Sequence, residues 1–388
     1  MTLSHDGIWR DGRSPLGDHR ADLARLAATN RLRVLAPRKS VDFASNDYLG
    51  LAGSAALRDA VAGALERGVP VGSGGSRLLR GNHPEHESLE AEAATLFGTQ
   101  AALYFATGYA ANAALLATLP QRGDLVVHDA LIHASAHEGM KLGRAATASV
   151  AHNDANAIEA AITDWRGRGG VGRVWIAVES LYSMDGDRAP LAELADLADR
   201  HEGFLLIDEA HATGVFGPGG RGLAAGLDGR ENIITLRTCG KALGCEGALV
   251  CADQVVIDFL INRGRGLIFS TAPSPLMAAA VRVALGLMGD EDRRARLGAL
   301  VEGAGRRFER LGVAATGSQI VPVVLGDEGR TMATATALQA QGFDVRGIRP
   351  PTVPVGTGRL RISLTLNVGM AEVEALAAAL EPLLETRA

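Results

Sequence analysis

Six short apolar stretches, at 101–105, 125–128, 174–178, 204–208, 233–237 and 247–251, constrain the fold of this chain more than any other feature. None alternates polar with apolar residues, as a strand with one wet face would, so each is expected to be buried on both sides. Helical stretches accompany them: 55–67, a helix capped by Asn82 with Pro84 that runs to Phe97, one opened by Thr107-Gly108-Tyr109 that ends at Leu119, and 190–201. Apolar strands alternating with helices predict an α/β fold on a mostly parallel central sheet. Ligands in such sheets sit beyond the carboxyl ends of the strands, so the residues after each stretch are where chemistry is sought.

A chain of 388 residues exceeds one compact core. Its rhythm divides it into an Arg-rich arm over 1–50, a large domain over 51–285 and a smaller C-terminal α+β domain over 286–388. The arm carries a helix at 21–35 and a short strand at 41–44. The last domain reads as a charged helix to Leu311, strand 320–325, helix 331–341, strand 359–365 and a final helix after Gly369. Net charge is −5 with both signs interspersed, and no basic block interleaves with aromatics, so nucleic acid is not an expected partner. No apolar run reaches membrane-spanning length and the first residues lack a signal-like apolar core, so no membrane partner is expected and the protein reads as soluble and cytoplasmic. Cys239, Cys245 and Cys251 match neither zinc nor disulfide spacing and read as packing residues in a reducing compartment.

Of 39 basic side chains only three are lysines: Lys39, Lys141 and Lys241. Arginine stands wherever a plain charge suffices, so Lys241, in the glycine-rich Thr238-Cys239-Gly240-Lys241-Ala242-Leu243-Gly244 after an apolar strand, asks for a reason. A lysine amine can lose its proton and attack a carbonyl to form a Schiff base, which a guanidinium does not do. A lone loop lysine is more often a surface charge, so its neighbours decide. Asp208 closes an apolar strand and His211 follows it in Asp208-Glu209-Ala210-His211. Such an acid is commonly a cap. Facing a ligand crevice, it instead keeps a protonated ring nitrogen charged and hence an electron sink, the demand of a pyridoxal phosphate enzyme. Gly108 and Tyr109 offer N–H groups to a phosphate at a strand-to-helix junction, Thr238 adds a hydroxyl, and His133 follows a strand end where it could stack on a planar ring.

Two other patterns carry less. Gly217-Pro218-Gly219-Gly220-Arg221-Gly222 satisfies G-x-G-x-x-G, but its proline and the glycine-broken 223–229 stretch spoil the helix a dinucleotide needs. His133, His137 and Glu138 stand in H-x-x-x-H-E order instead of H-E-x-x-H, so no metal is expected.

Together these residues resemble the α-oxoamine synthases, which have the aspartate-aminotransferase-like (type I) pyridoxal phosphate fold. The marks are Ser45-Asn46-Asp47-Tyr48-Leu49-Gly50-Leu51, Gly72-Ser73-Gly74-Gly75-Ser76, Tyr182-Ser183-Met184-Asp185-Gly186-Asp187, Asp208-Glu209-Ala210-His211 and Thr238-Cys239-Gly240-Lys241. The resemblance runs from about Phe43 to Thr365 and implies a three-layer fold with a mostly parallel central sheet and a smaller α+β C-terminal domain. Ile348-Arg349-Pro350-Pro351-Thr352-Val353-Pro354 and Gly356-Thr357-Gly358-Arg359-Leu360-Arg361 look like the biotin-pathway branch, which condenses L-alanine with a pimeloyl thioester.

By that resemblance Lys241 holds the cofactor and serves as base, Asp208 pairs with the pyridine nitrogen, His211 contacts the ring hydroxyl and His133 stacks on the ring. Gly108, Tyr109 and Thr238 hold phosphate, and Ser183 lies near the cofactor. Arg361 clamps the amino-acid carboxylate in a bidentate fork, with Arg349 or Arg359 as alternates. Asn46, Thr352 and Arg31, or Arg33 in its place, face substrate. The family's enzymes are homodimers, which implies that Ser270 and Thr271 reach the neighbouring chain's phosphate. Coenzyme A and an acyl carrier protein both stay open as acyl carriers. The rival readings are a sister synthase using glycine with acetyl- or succinyl-CoA, a nicotinamide oxidoreductase, and a non-catalytic cofactor-binding protein.

Overall fold

The computed structural model describes residues 14–35, 37–38 and 41–385. The first part of the expected arm, and Lys39, lie outside the described residues. In chain order come α1 (Gly17–Ala28), β1 (Val41–Asp42), α2 (Ala55–Glu66), α3 (Pro84–Phe97), β2 (Ala101–Phe105), α4 (Gly108–Thr118), β3 (Leu125–Asp129), α5 (Ala134–Leu142) and β4 (Ala146–Val150). They are followed by α6 (Ala155–Gly167), β5 (Val174–Glu179), α7 (Leu191–Arg200), β6 (Phe204–Asp208), β7 (Ile233–Thr238), β8 (Ala248–Ala252), α8 (Gln254–Arg263), α9 (Arg265–Ile268) and α10 (Pro275–Met288). The rest are α11 (Glu291–Glu309), β9 (Ile320–Gly326), α12 (Glu328–Ala340), β10 (Phe343–Asp344), β11 (Arg346–Ile348), β12 (Gly358–Ser363) and α13 (Met370–Glu385).

The larger compact unit is Ser45–Val321 with Ser363–Glu374. Its seven-stranded sheet has the order β2-β8-β7-β6-β5-β3-β4. Only β8 runs against its neighbours, and β7, β6, β5, β3 and β4 are parallel. The six apolar stretches are the six strands with every residue buried or nearly so, whereas the edge strand β4 is half-exposed. Alternate residues of each strand feed different cores. Leu103, Phe105 and Val126 pack with α4, α5 and α8, Ala102 and Tyr104 with α3 and α10, and Leu125 and Val127 with α6 and α7. That is the three-layer arrangement the apolar runs require, and each fully buried Leu, Ile or Val stabilises it by about 1.5–3 kcal/mol.

The smaller unit gathers the described residues up to Ala44, Pro322–Ile362 and those from Ala375 on. In it β1 pairs in parallel with β10, and β11, β12 and β9 form a three-stranded sheet. The compact units therefore divide differently from the three consecutive segments expected: α11 falls in the larger unit, and the stretch before residue 45 joins the smaller one through the β1–β10 pairing.

Three local expectations are corrected. The first helix spans Gly17–Ala28 instead of 21–35, because Asn30 takes a left-handed φ of 56° that ends it. Helix α3 is capped by His83, whose Nδ1 accepts from the Glu85 N–H, while the Asn82 side chain bonds Arg77 and Glu87. The strand expected over 41–44 is two residues long, since the Ala44 N–H turns to the Asp42 carboxylate.

Candidate active site

Asp208 ends β6 with only 6 % of its surface exposed. Its Oδ1 accepts the Ala210 N–H at 2.9 Å and its Oδ2 accepts from the Asn112 side-chain amide, on α4, at 2.6 Å. The same amide donates to the Ser135 hydroxyl at 3.1 Å, and that hydroxyl lies 2.7 Å from His133 Nδ1. Asn112 thus ties the acid to the ring expected to stack. Burial lowers the His133 pKa and Asp208 opposes that fall.

His211 is buried in the turn after β6. Its Nδ1 lies 2.6 Å from the Tyr48 hydroxyl and its Nε2 lies 2.8 Å from Lys241 Nζ. Tyr48 donates its one hydrogen to Asn46 Oδ1 at 2.9 Å, so its oxygen accepts from Nδ1–H, and the Nε2 lone pair faces the lysine amine. The backbone oxygen of His211 is held by Gln319 Nε2 at 2.7 Å. Lys241 stands in the turn after β7, closed by the Gly244 N–H to its carbonyl at 2.9 Å. Gly244 has φ 65°, and a Cβ there would run into the Leu51–Ala52 backbone, so only glycine makes this turn.

A phosphate cradle lies at the start of α4. Thr107 caps the helix by accepting the Ala110 N–H at 3.0 Å, which leaves the N–H groups of Gly108 and Tyr109 without intrahelical acceptors. A Cβ on Gly108 would sit 3.5 Å from Thr238 Oγ1, which places that hydroxyl beside the cradle. The half-exposed Tyr109 ring meets His133 edge-on, centroids 6.4 Å apart. Ser183 lies in the turn after β5 and donates its N–H to Glu179 Oε2 at 3.1 Å.

Glu179, Asn112, Tyr48 and Gln319 were not read as site residues. Glu179 ends β5 in register with Asp208, and its Oε1 is buried without a hydrogen-bond partner. Burial, reinforced by the Asp208 charge, pushes its carboxyl up to about 8. The only signal for it was position: the strand runs one residue past the expected end at Val178.

In the smaller unit Arg31 is held by Glu328 through two bonds of 2.8 and 2.6 Å, whereas Arg33 donates to Thr352 Oγ1 at 3.2 Å. Arg349 donates to the Leu32 carbonyl at 2.7 Å, and Arg359 and Arg361 are buried on β12. Ser270 and Thr271 are exposed between α9 and α10, and line a small cleft with Ala106 and Ala110 of their own chain.

The model of the aminotransferase class I and II family matches residues 38–380. An 8-amino-7-oxononanoate synthase of Anaeromyxobacter dehalogenans is 44 % identical over 351 residues, covering 89 % of this chain and 87 % of the relative. That of Geobacter sulfurreducens is 41 % identical over 368 residues, 92 % of each. The chain belongs to the 8-amino-7-oxononanoate synthase family. Among solved structures, the Sphingomonas wittichii serine palmitoyltransferase superposes with a TM-score of 0.84 at 26 % identity, covering 96 % of this chain and 98 % of that one. A Francisella tularensis 8-amino-7-oxononanoate synthase gives 0.73 at 25 %, covering 88 % and 97 %.

The fold of the 8-amino-7-oxononanoate synthases leads to pyridoxal phosphate, and the residues present fit it. A helix start with first-turn donors suits the phosphate, the carboxylate at the end of β6 suits the ring nitrogen, and a lysine amine lies one histidine away. The partnerless Glu179 Oε1 is the kind of buried polar atom that a bound group satisfies.

Proposed function

We propose that this chain is a pyridoxal phosphate-dependent acyltransferase that condenses L-alanine with a pimeloyl thioester, releasing carbon dioxide and the free thiol and giving 8-amino-7-oxononanoate for biotin biosynthesis. The observation that carries it is the Asp208, His211 and Lys241 constellation beside the α4 cradle, in a chain 44 % identical to enzymes of that name. When bound, pyridoxal phosphate supplies an electron sink for the carbanion at the amino acid's Cα.

The chain's own residues do the rest. Lys241 Nζ holds the cofactor and then, freed, takes the Cα proton. An amine suits that work when a nearby positive charge and partial burial lower its pKa. His211 Nε2 is poised to accept a hydrogen bond, Asp208 supplies the negative partner of the ring nitrogen, and Asn112 keeps Asp208 and Ser135 in line. Gly108, Tyr109 and Thr238 bind the phosphate, His133 covers the ring and Ser183 lies at its edge. Arg361 takes the amino-acid carboxylate, and Arg33 with Thr352 takes the acyl substrate. Ser270 and Thr271 complete the site of a second copy in a cytoplasmic homodimer.

Lys241→Ala tests the proposal: turnover of alanine with pimeloyl-CoA, and the cofactor adduct trapped by borohydride, should both vanish. Normal turnover by that variant would sink the mechanism. Product formed from glycine and acetyl-CoA, and none from alanine and pimeloyl-CoA, would favour a sister synthase. Comparing pimeloyl-CoA with pimeloyl-acyl carrier protein decides the carrier.

A further inference from the structure

One charged cluster has no part in that chemistry. His152 lies between β4 and α6, its Nδ1 2.9 and 3.0 Å from the two carboxylate oxygens of Asp129 and its Nε2 2.8 Å from Asp187 Oδ2. Carboxylate oxygens accept, so both ring nitrogens donate and the ring is an imidazolium. Asn153 completes the clamp: its N–H donates to Asp129 Oδ2 and its side-chain amide to Asp187 Oδ2, each at 2.7 Å. The Tyr182 ring stands edge-on to His152, centroids 4.4 Å apart.

The two acids belong to different turns. Asp129 closes β3, and its Oδ1 accepts the Leu131 N–H at 2.7 Å in the turn that leads to His133. Asp187 closes the 182–187 turn, held by Tyr182 N–H to the Asp187 carbonyl and Gly186 N–H to the Tyr182 carbonyl, each at 2.9 Å. Ser183 lies within that turn.

We propose that His152 is a positioning residue: a half-buried cation between Asp129 and Asp187, it ties the turn leading to His133 to the turn holding Ser183 and so sets the spacing of two walls of the cofactor site. The clamp stands on its own geometry; its effect on pyridoxal phosphate rests on the assignment of His133 and Ser183 to the cofactor. The titratable groups facing the ring are Asp129 from β3 and Asp187 and Tyr182 from the turn. Burial pulls the ring's pKa down, and the hydrogen bonds to Asp129 and Asp187 outweigh it, raising the value from 6.5 to about 10. A group raised in this way contributes its stability in full below 6.5 and loses it as pH rises towards 10.

The test compares wild type with His152→Gln and Asp187→Asn, all freed of cofactor, by thermal midpoint between pH 6 and 10 and by amide hydrogen exchange, followed by titration with pyridoxal phosphate. For each variant the midpoint gap to wild type should be widest near pH 6 and narrow towards pH 10. Exchange should quicken in 129–135 and 182–187 and not in the rest of the sheet. The dissociation constant for pyridoxal phosphate should rise about tenfold, the worth of one charge-assisted hydrogen bond. A gap that stays constant with pH, with both turns still protected, would make His152 a space-filler and overturn the clamp. Should His152→Gln fail to fold, Asp187→Asn, whose carboxylate is partly exposed, gives the same readouts. Wild type that does not bind pyridoxal phosphate overturns the cofactor assignment, and the exchange and pH results then judge the clamp separately.

Discussion

Tyr48 on the Lys241 side and Asn112 and Glu179 on the Asp208 side are residues that sequence patterns do not flag. The Asn46–Tyr48–His211 chain fixes which histidine nitrogen faces the amine, because Tyr48 has one hydrogen and gives it to Asn46. Glu179 stands beside Asp208 across one strand pair, a second acid where burial and a like charge both disfavour ionisation. Its carboxyl is raised from 4.5 to about 8, so the folded chain keeps a proton that the unfolded chain releases. The stability it contributes is therefore full below pH 4.5 and is lost as pH rises through about 8. Glu179→Gln has no proton to lose. In urea denaturation of the cofactor-free protein, its midpoint should gain on wild type between pH 5 and pH 8. A gap of the same size at both values would count against the raised acid.

At the scale of elements, the start of α4 does two jobs: Thr107 caps the helix and Gly108 keeps the approach to Thr238 open. A larger side chain at 108 should fill the cradle, since its Cβ alone would already be in van der Waals contact with Thr238 and Leu236 of β7. Gly108→Leu is expected to weaken pyridoxal phosphate binding by at least about tenfold, checked by titration of the cofactor-free protein, with little change in thermal midpoint beyond the helix-start cost. The glycine-rich 217–222 stretch has a different reason from a dinucleotide site. A Cβ on Gly222 would fall on the Glu209 carboxylate, which accepts the Leu223 and Ala224 N–H groups at 2.9 Å. Behind it Arg237, fully buried in β7, forms a two-pronged pair with Asp228 at 2.7 and 2.9 Å and stacks over Phe97 at 4.1 Å. Arg237→Met strands two buried acids and should destabilise the fold by about 3–5 kcal/mol in chemical denaturation. An effect under about 1 kcal/mol would mean the acids pick up protons at little cost.

What could be read in advance follows from the same physics. Continuous apolar runs marked β2, β3 and β5 to β8 because both their faces are covered. The edge strand β4, Ala-Thr-Ala-Ser-Val, carried no such mark. Asp208 and Lys241 were legible because their residue types are costly at those places without a purpose. Asn112, Glu179 and Arg237 were not, since each matters through a partner that only folding brings near: Asp208 is 96 residues from Asn112.

For the whole molecule, the parallel strands bring Asp129, Glu179, Asp208 and Thr238 to one end of the sheet, the end at which the proposed function places its ring, phosphate and lysine groups from distant parts of the chain. Ser270 and Thr271 are exposed beside Ala106 and Ala110. If a second copy supplies them to the phosphate, each site needs Lys241 from one chain and Ser270 with Thr271 from the other. Lys241→Ala and a Ser270→Ala/Thr271→Ala double variant should then be weak or dead alone and partly rescue each other when co-expressed. Random pairing makes half of the dimers mixed, and each mixed dimer holds one intact site of two, so activity should return to about a quarter of wild type. If the two residues act on their own chain's cofactor, every site in the mixture carries one lesion and no activity returns. Subunit complementation thus separates the shared site from the self-contained one without any structure of the assembly.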